Sequence, residues 1–325
     1  SRMMDIVIKM TIIFVGILVF IGGLSFTLEV AGPGTFLPTA KQNLPKREFE
    51  TFALVYTVVW IAIFGGVVVT KAYESFTEDS YMALCVSLSL PFLLQPILYP
   101  MPSERNIPLV QRYSFKANVW IAIFSFIGNY WYTHYFYSVL EAKYTFPSWR
   151  LNDVPIPLYF ATHFYFVTYH TFSNLILRKI ETRYVVGLMR SVFFWSSVVA
   201  FSYFTAFMET LTISSFPCYA FARPIVEIFT KGSAFYGLYF LASFPVFFRL
   251  DEYVGSAYTL PHSLYSTVLE ALGCSMIVLC LLDFCRIYLH INLTIDASRG
   301  PIYLFENECS FASEPESATI TTDSE

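Results

Sequence analysis

Long apolar runs alternate along the chain with shorter polar stretches. Eight of these runs read as membrane helices: Ile6 to Leu24, Phe52 to Thr70, Tyr81 to Tyr99, Ala117 to Tyr137, Pro157 to Leu177, Ser191 to Phe207, Ala234 to Phe248 and Val268 to Leu289. About 20 apolar residues at 1.5 Å each cross the roughly 30 Å hydrocarbon layer. The pattern predicts an all-α, polytopic membrane bundle of about eight transmembrane helices, seven plus an extra N-terminal one.

Three units follow from the same pattern. Residues 1–45 form an extra hydrophobic segment, an anchor or a signal peptide, and a loop carrying Gly32, Pro33, Gly34 and Pro38. Residues 46–290 form the membrane-embedded domain. Residues 291–325 are a polar, acidic tail with the composition of disorder. The loops after the first, third and fifth runs hold ten Lys and Arg, against five after the second, fourth and sixth. The positive-inside rule therefore puts the first set in the cytoplasm.

Polar residues interrupt the runs at helical spacing. Asn118, Ser125 and Asn129 lie at i, i+7 and i+11, one face of the fourth run, and His134 sits near its end. His163, His170 and Asn174 repeat that spacing in the fifth run. Ser202, Thr205 and Glu209 share a face of the sixth, and Tyr236, Tyr239 and Ser243 a face of the seventh. An amide without a partner in hydrocarbon costs roughly 2–7 kcal/mol, so such stripes face other helices or a cavity. They serve either as interhelical glue or as a site.

Composition sharpens this. Of 325 residues, 56% are hydrophobic, 19% aromatic and 14% charged, and the charged share is well under that of soluble domains. With 34 Phe and 23 Tyr, rings exceed what interfacial belts need, so many line the interior. The net charge is −4 and no basic block suggests nucleic acid. Six cysteines show no ligand or disulfide spacing. There is no histidine cluster for iron, no GxGxxG, P-loop, CxxCH or GxSxG motif, and His163 with His170 is too few for a metal. The chemistry on offer is acid–base work among aromatic rings, without cofactor or metal, on a lipid-like substrate.

Specific stretches carry a resemblance. KANVWIAIFSFIGNYWYTHYFYSVLEAKYTFPSWRLNDVP from Lys116, SYFTAFMETLTISSFPCYAF from Ser202 and FYGLYFLASFPVFFRLDE from Phe235 closely resemble the cycloeucalenol cycloisomerase family, the cyclopropylsterol isomerases of phytosterol synthesis. Weaker matches, AYESFTEDSYMALCVSLSLPFLLQP and EALGCSMIVLCLLDFCRIYL, extend it from about Lys46 to Leu289. The N-terminal apolar run and the acidic tail depart from the family's pattern.

The resemblance implies opening of the 9β,19-cyclopropane ring of a sterol to give a Δ8 product, in the endoplasmic-reticulum membrane, with a sterol and lipid as partners and no obligate protein. An acid protonates the strained methylene, charge develops on a ring carbon, and a base removes the neighbouring proton. Ring faces stabilise such a cation by roughly 0.5–2 kcal/mol each without trapping it. Glu209 is the expected proton donor, with His134 or His163 relaying the proton and Asp251 or Glu252 as alternative acids. Asn118, Asn129, Tyr132, His170 and Asn174 are expected to orient substrate or catalyst. Tyr130, Trp131, Phe247 and Phe248 supply rings. The alternatives are a sterol double-bond isomerase, or a lipid transporter or receptor whose polar stripes line a pathway.

Overall fold

The computed structural model describes residues 2–133, 136–137, 142–214, 219–221, 229, 232–254 and 260–289. His134 and the acidic tail lie outside the described residues. Eight long helices run through the described residues, one on each expected apolar run: α1 (Arg2–Phe26), α2 (Leu44–Val69), α3 (Glu78–Leu98), α4 (Tyr113–Ile127), α5 (Ile156–Arg183), α6 (Leu188–Ser214), α7 (Ser233–Phe248) and α8 (Leu264–Leu289). Four of them, α2, α3, α6 and α8, are long and apolar enough to cross a membrane. The bundle is therefore helical and of membrane type.

Local chemistry sets the helix starts. The Asn43 side chain accepts from the Lys46 amide at 3.2 Å, and Pro45 fits the first turn of α2, where an N–H would be unused. Thr77 caps α3 in the same way, and Glu78 and Asp79 lie against the positive end of its dipole. One long-range strand pair and one short hairpin interrupt the all-α reading. β1 (Ala142–Tyr144) pairs antiparallel with β4 (Tyr219–Phe221), and β2 (Arg150–Leu151) with β3 (Val154–Pro155). The β2–β3 turn is Asn152-Asp153, with φ of 52° and 60°. Both residue types tolerate this left-handed turn, which suits a two-residue hairpin.

The fourth run also departs from a single straight helix. After Ile127 the backbone widens into a π turn, Gly128–Tyr132. The Thr133 amide and hydroxyl both donate to the Gly128 carbonyl, at 3.0 and 3.1 Å, which closes the wider loop. Turns of this kind recur at functional sites.

Helix α5 is the central element, packed against α2, α3, α4, α6 and α7. That position explains its polarity. His163, Thr168, His170, Asn174, Arg178 and Glu181 are all buried, and each has protein rather than lipid beside it. Thr168 accepts from Trp60 Nε1 at 3.1 Å and shares a 2.9 Å hydroxyl contact with Thr57 across α2. Helices α6 and α7 form an antiparallel pair: Thr210 meets Ser233, and Phe201 meets Phe244. Helix α7 runs parallel to α5, since Phe166 packs on Phe240 and Arg178 bonds Glu252. Helix α1 lies on the outside, against α6.

Candidate active site

The polar stripes meet one another across the helices, and they sort into two ends of the bundle. One end is ionic. Arg178 grips Glu50 with Nη1 and Nη2, both at 2.8 Å, and reaches Glu252 with Nη2 at 2.7 Å and Nε at 3.1 Å. Lys46 stands 3.2 Å from Glu252 and donates to the Phe248 and Leu250 carbonyls. The Asn174 amide adds a 2.8 Å bond to Glu50. Two cations and two anions cancel, and all four are almost wholly buried. Burial alone would raise the Glu252 carboxyl, but the charges of Lys46 and Arg178 win and hold it below its usual range.

Beside this network, Lys116 pairs with Asp251, and His262 bridges two carboxylates, with Nδ1 3.3 Å from Asp251 and Nε2 3.0 Å from Glu270. The Asp251 backbone is left-handed, φ 48°, just past the end of α7. Burial pushes the Asp251 carboxyl up, yet the His262 and Lys116 contacts leave it net lowered. Both alternative acids are thus held ionised by adjacent cations. A group in that state does not store a proton for delivery to carbon.

The middle of the bundle is aromatic. His170 is fully buried, its Nδ1 2.7 Å from the Phe166 carbonyl and its Nε2 2.9 Å from Ser243. A carbonyl only accepts, so Nδ1 carries the proton and Nε2 accepts from the serine. Trp120, Phe124, Phe166, Phe240, Phe244 and Phe247 ring it, with centroids 5.1–6.3 Å away. Both ring nitrogens are occupied by the protein. Phe248 turns its face to the protein's own cations, Lys46 at 5.7 Å and Arg178 at 5.8 Å.

Along the next stripe, His163 Nε2 meets Asn118 Oδ1 at 2.9 Å, and Asn118 donates to the Ser114 carbonyl at 2.8 Å. Asn129 donates to Thr162 at 2.6 Å and to the Ser125 carbonyl at 2.9 Å. Tyr132 donates to the Ser275 carbonyl, while Tyr239 donates to the Tyr132 carbonyl at 2.7 Å. Tyr130 stacks on Phe126, and Trp131 remains half-exposed at 51%.

Glu209 sits at the other end. It projects from α6 to a junction with α5 and α7, where the Tyr236 hydroxyl donates to Oε2 at 2.9 Å. Tyr165 and Tyr169, one turn apart on α5, are its other polar neighbours. Glu209, Tyr165 and Tyr169 keep part of their surface free, whereas the ionic groups do not. Tyr236 and Asp251 lie 15 residues apart along and just beyond α7, about 22 Å at the helical rise. The acids grouped together from sequence therefore belong to two separate places.

His163 does not join Glu209 directly. Six residues separate it from Tyr169 on α5, so the two side chains leave the helix about 120° apart. Tyr169 turns to Glu209 and His163 to Asn118. The sequence reading missed Tyr165 and Tyr169, although their i, i+4 spacing on a membrane helix was the available signal.

Such a chain is helical, with buried titratable side chains among aromatic rings, and comparison with known proteins identifies the class as isomerase. A relative from Arabidopsis thaliana, cycloeucalenol cycloisomerase, is 40% identical over 250 residues, covering 76% of this chain and 88% of the relative. The chain belongs to the cycloeucalenol cycloisomerase family. No protein-family model and no solved structure matches it.

Proposed function

We propose that this isomerase opens the 9β,19-cyclopropane ring of a cyclopropyl sterol such as cycloeucalenol, giving a Δ8 sterol of the obtusifoliol type, within the endoplasmic-reticulum membrane. On this reading all eight helices cross the bilayer, the first being an addition to a seven-helix domain of residues 46–290. The step is redox-neutral, so acid–base groups balance it without a cofactor. Glu209 gives its proton to the C19 methylene as the C9–C19 bond breaks. The positive charge develops at C9, and loss of the C8 proton to His134 or His163 places the double bond. Aromatic rings hold the cation without offering a nucleophile.

The carrying observation is the contrast between the carboxyls. Asp251 and Glu252 are clamped by cations, whereas the described partners of Glu209 are tyrosines. Adjacent cations hold a carboxyl ionised, and the described neighbours of Glu209 are neutral hydroxyls instead, which leaves it the better candidate for the protonated form an acid catalyst needs. Asn118 and Asn129 fix the helices around the site, with His170 and Phe247 as its packed floor.

Purified protein in lipid nanodiscs, fed cycloeucalenol and analysed by sterol mass and retention time, tests this. Wild type yields the ring-opened sterol, and Glu209→Gln loses about 10²–10⁴-fold in turnover, the usual share of a general acid. An untouched cyclopropyl sterol with wild-type protein overturns the reaction. A migrated nuclear double bond with the cyclopropane intact identifies the double-bond isomerase instead.

A further inference from the structure

Tyr236 engages one oxygen of Glu209, and Tyr169 on α5 is the second hydroxyl beside the carboxyl. The Tyr236 hydroxyl donates to Oε2 at 2.9 Å. A protonated carboxyl has one carbonyl-like oxygen, which accepts, and one hydroxyl, which donates. We infer that Tyr236 is a positioning residue for the ring-opening reaction, which holds the Glu209 carboxyl in a fixed orientation through Oε2. This inference rests on the assignment of Glu209 as the acid.

The surroundings support a fixed hydroxyl. Tyr236 is buried, and its ring packs against Tyr239 at 5.0 Å and Phe240 at 5.1 Å. Tyr239 is in turn tied by its own hydroxyl to the Tyr132 carbonyl in the π turn. Close approach of α6 and α7 sets the reach, with Gly237 facing the Ser202 carbonyl. A catalytic acid must lie within hydrogen-bond reach and point at its target, so losing such an orienting bond lowers the chemical step more than substrate binding.

The test is Tyr236→Phe, which keeps the ring and removes only the hydroxyl, compared with wild type, Tyr169→Phe and Glu209→Gln in nanodiscs with cycloeucalenol. The expected result for Tyr236→Phe is a fall in kcat of about tenfold, the scale of one hydrogen bond, with KM within about twofold. The solvent deuterium isotope effect on kcat should rise, since proton delivery becomes slower relative to product release. A second measurement needs no turnover: in difference infrared spectra the Glu209 carboxyl band moves to higher wavenumber when its hydroxyl donor is lost. A purely structural tyrosine would change the unfolding temperature and leave the isotope effect and the carboxyl band in place. Wild-type kcat and an unmoved band in Tyr236→Phe, with Glu209→Gln inactive, overturn the positioning role and leave the acid assignment standing. Full activity of Glu209→Gln overturns the acid assignment itself.

Discussion

His262 stands between Asp251 and Glu270, one ring nitrogen toward each carboxylate at 3.3 and 3.0 Å. The loop after α7 is thereby fastened to the second turn of α8. The hydrogen bonds that His262 donates to Asp251 and Glu270 push the imidazole up to about 9, against the smaller opposing effect of burial. A histidine raised in this way stabilises the fold fully below its unfolded value of about 6.5, and the stabilisation disappears as pH climbs through the folded value.

Unfolding temperature in detergent should therefore fall between pH 6.5 and 9. The loss is on the order of 1–2 kcal/mol, discounted because the Glu270 side chain is 34% exposed. His262→Gln should flatten that slope. An equally steep slope in the variant would locate the titration elsewhere.

Arg178 carries the largest single stake in stability. Replacing it with Met leaves Glu50 and Glu252 buried without the guanidinium that grips them both, with Lys46 beside Glu252. Breaking a buried ion network by removing one partner costs about 3–5 kcal/mol. The variant should purify as aggregated or thermally labile protein, read by fluorescence-detected size exclusion before and after heating. Activity per folded molecule is a poor readout here, because the network lies far from Glu209.

Gly34 adopts φ +65°, and a Cβ there would lie 2.8 Å from Arg183 Cβ. The loop is pinned beneath α5, with Ala31 donating to the Arg183 carbonyl at 2.8 Å and Thr35 to the Thr182 hydroxyl at 2.8 Å. Gly34→Ala should lower stability by about 1–3 kcal/mol through backbone strain and displacement of this loop. Thermal melts and limited proteolysis of residues 31–43 would show it, and an unchanged melt would refute the strain.

Gly237→Ala goes the other way. A Cβ at that position meets the Ser202 carbonyl at 3.6 Å, an ordinary contact. Alanine in a helix interior is favoured over glycine by about 0.5–1 kcal/mol. A slightly raised melting temperature with unchanged turnover is expected. A fall in either would mean the α6–α7 approach is tighter than this spacing.

Much of the architecture was legible in the chain. The apolar runs place the helices because lipid and a protein interior select the same residues, and the i, i+7, i+11 stripes turn inward because unpaired amides are costly there. The stripe Tyr236, Tyr239, Ser243 finds a partner at each position: Glu209, the Tyr132 carbonyl and His170. Tertiary distance was not legible. Glu209, Asp251 and Glu252 are all acidic groups at the ends of apolar runs, and only the antiparallel pairing of α6 with α7 separates them. Lys46, Glu50 and Arg178 look like boundary residues in sequence, yet they are buried because their partners come from elements more than a hundred residues away. Local rules also missed the π turn, which depends on Thr133 and its neighbours closing around Gly128.

The buried quartet is also the last-completed charge balance at its end of the bundle, in order of synthesis. Lys46, Glu50 and Arg178 emerge first and together hold one surplus positive charge, which hydrocarbon does not tolerate. Glu252 arrives after α7 has been made, some two hundred residues behind Lys46. Neutrality of the quartet is completed by the segment just beyond the penultimate helix, so a nascent chain truncated before Glu252 leaves it unbalanced.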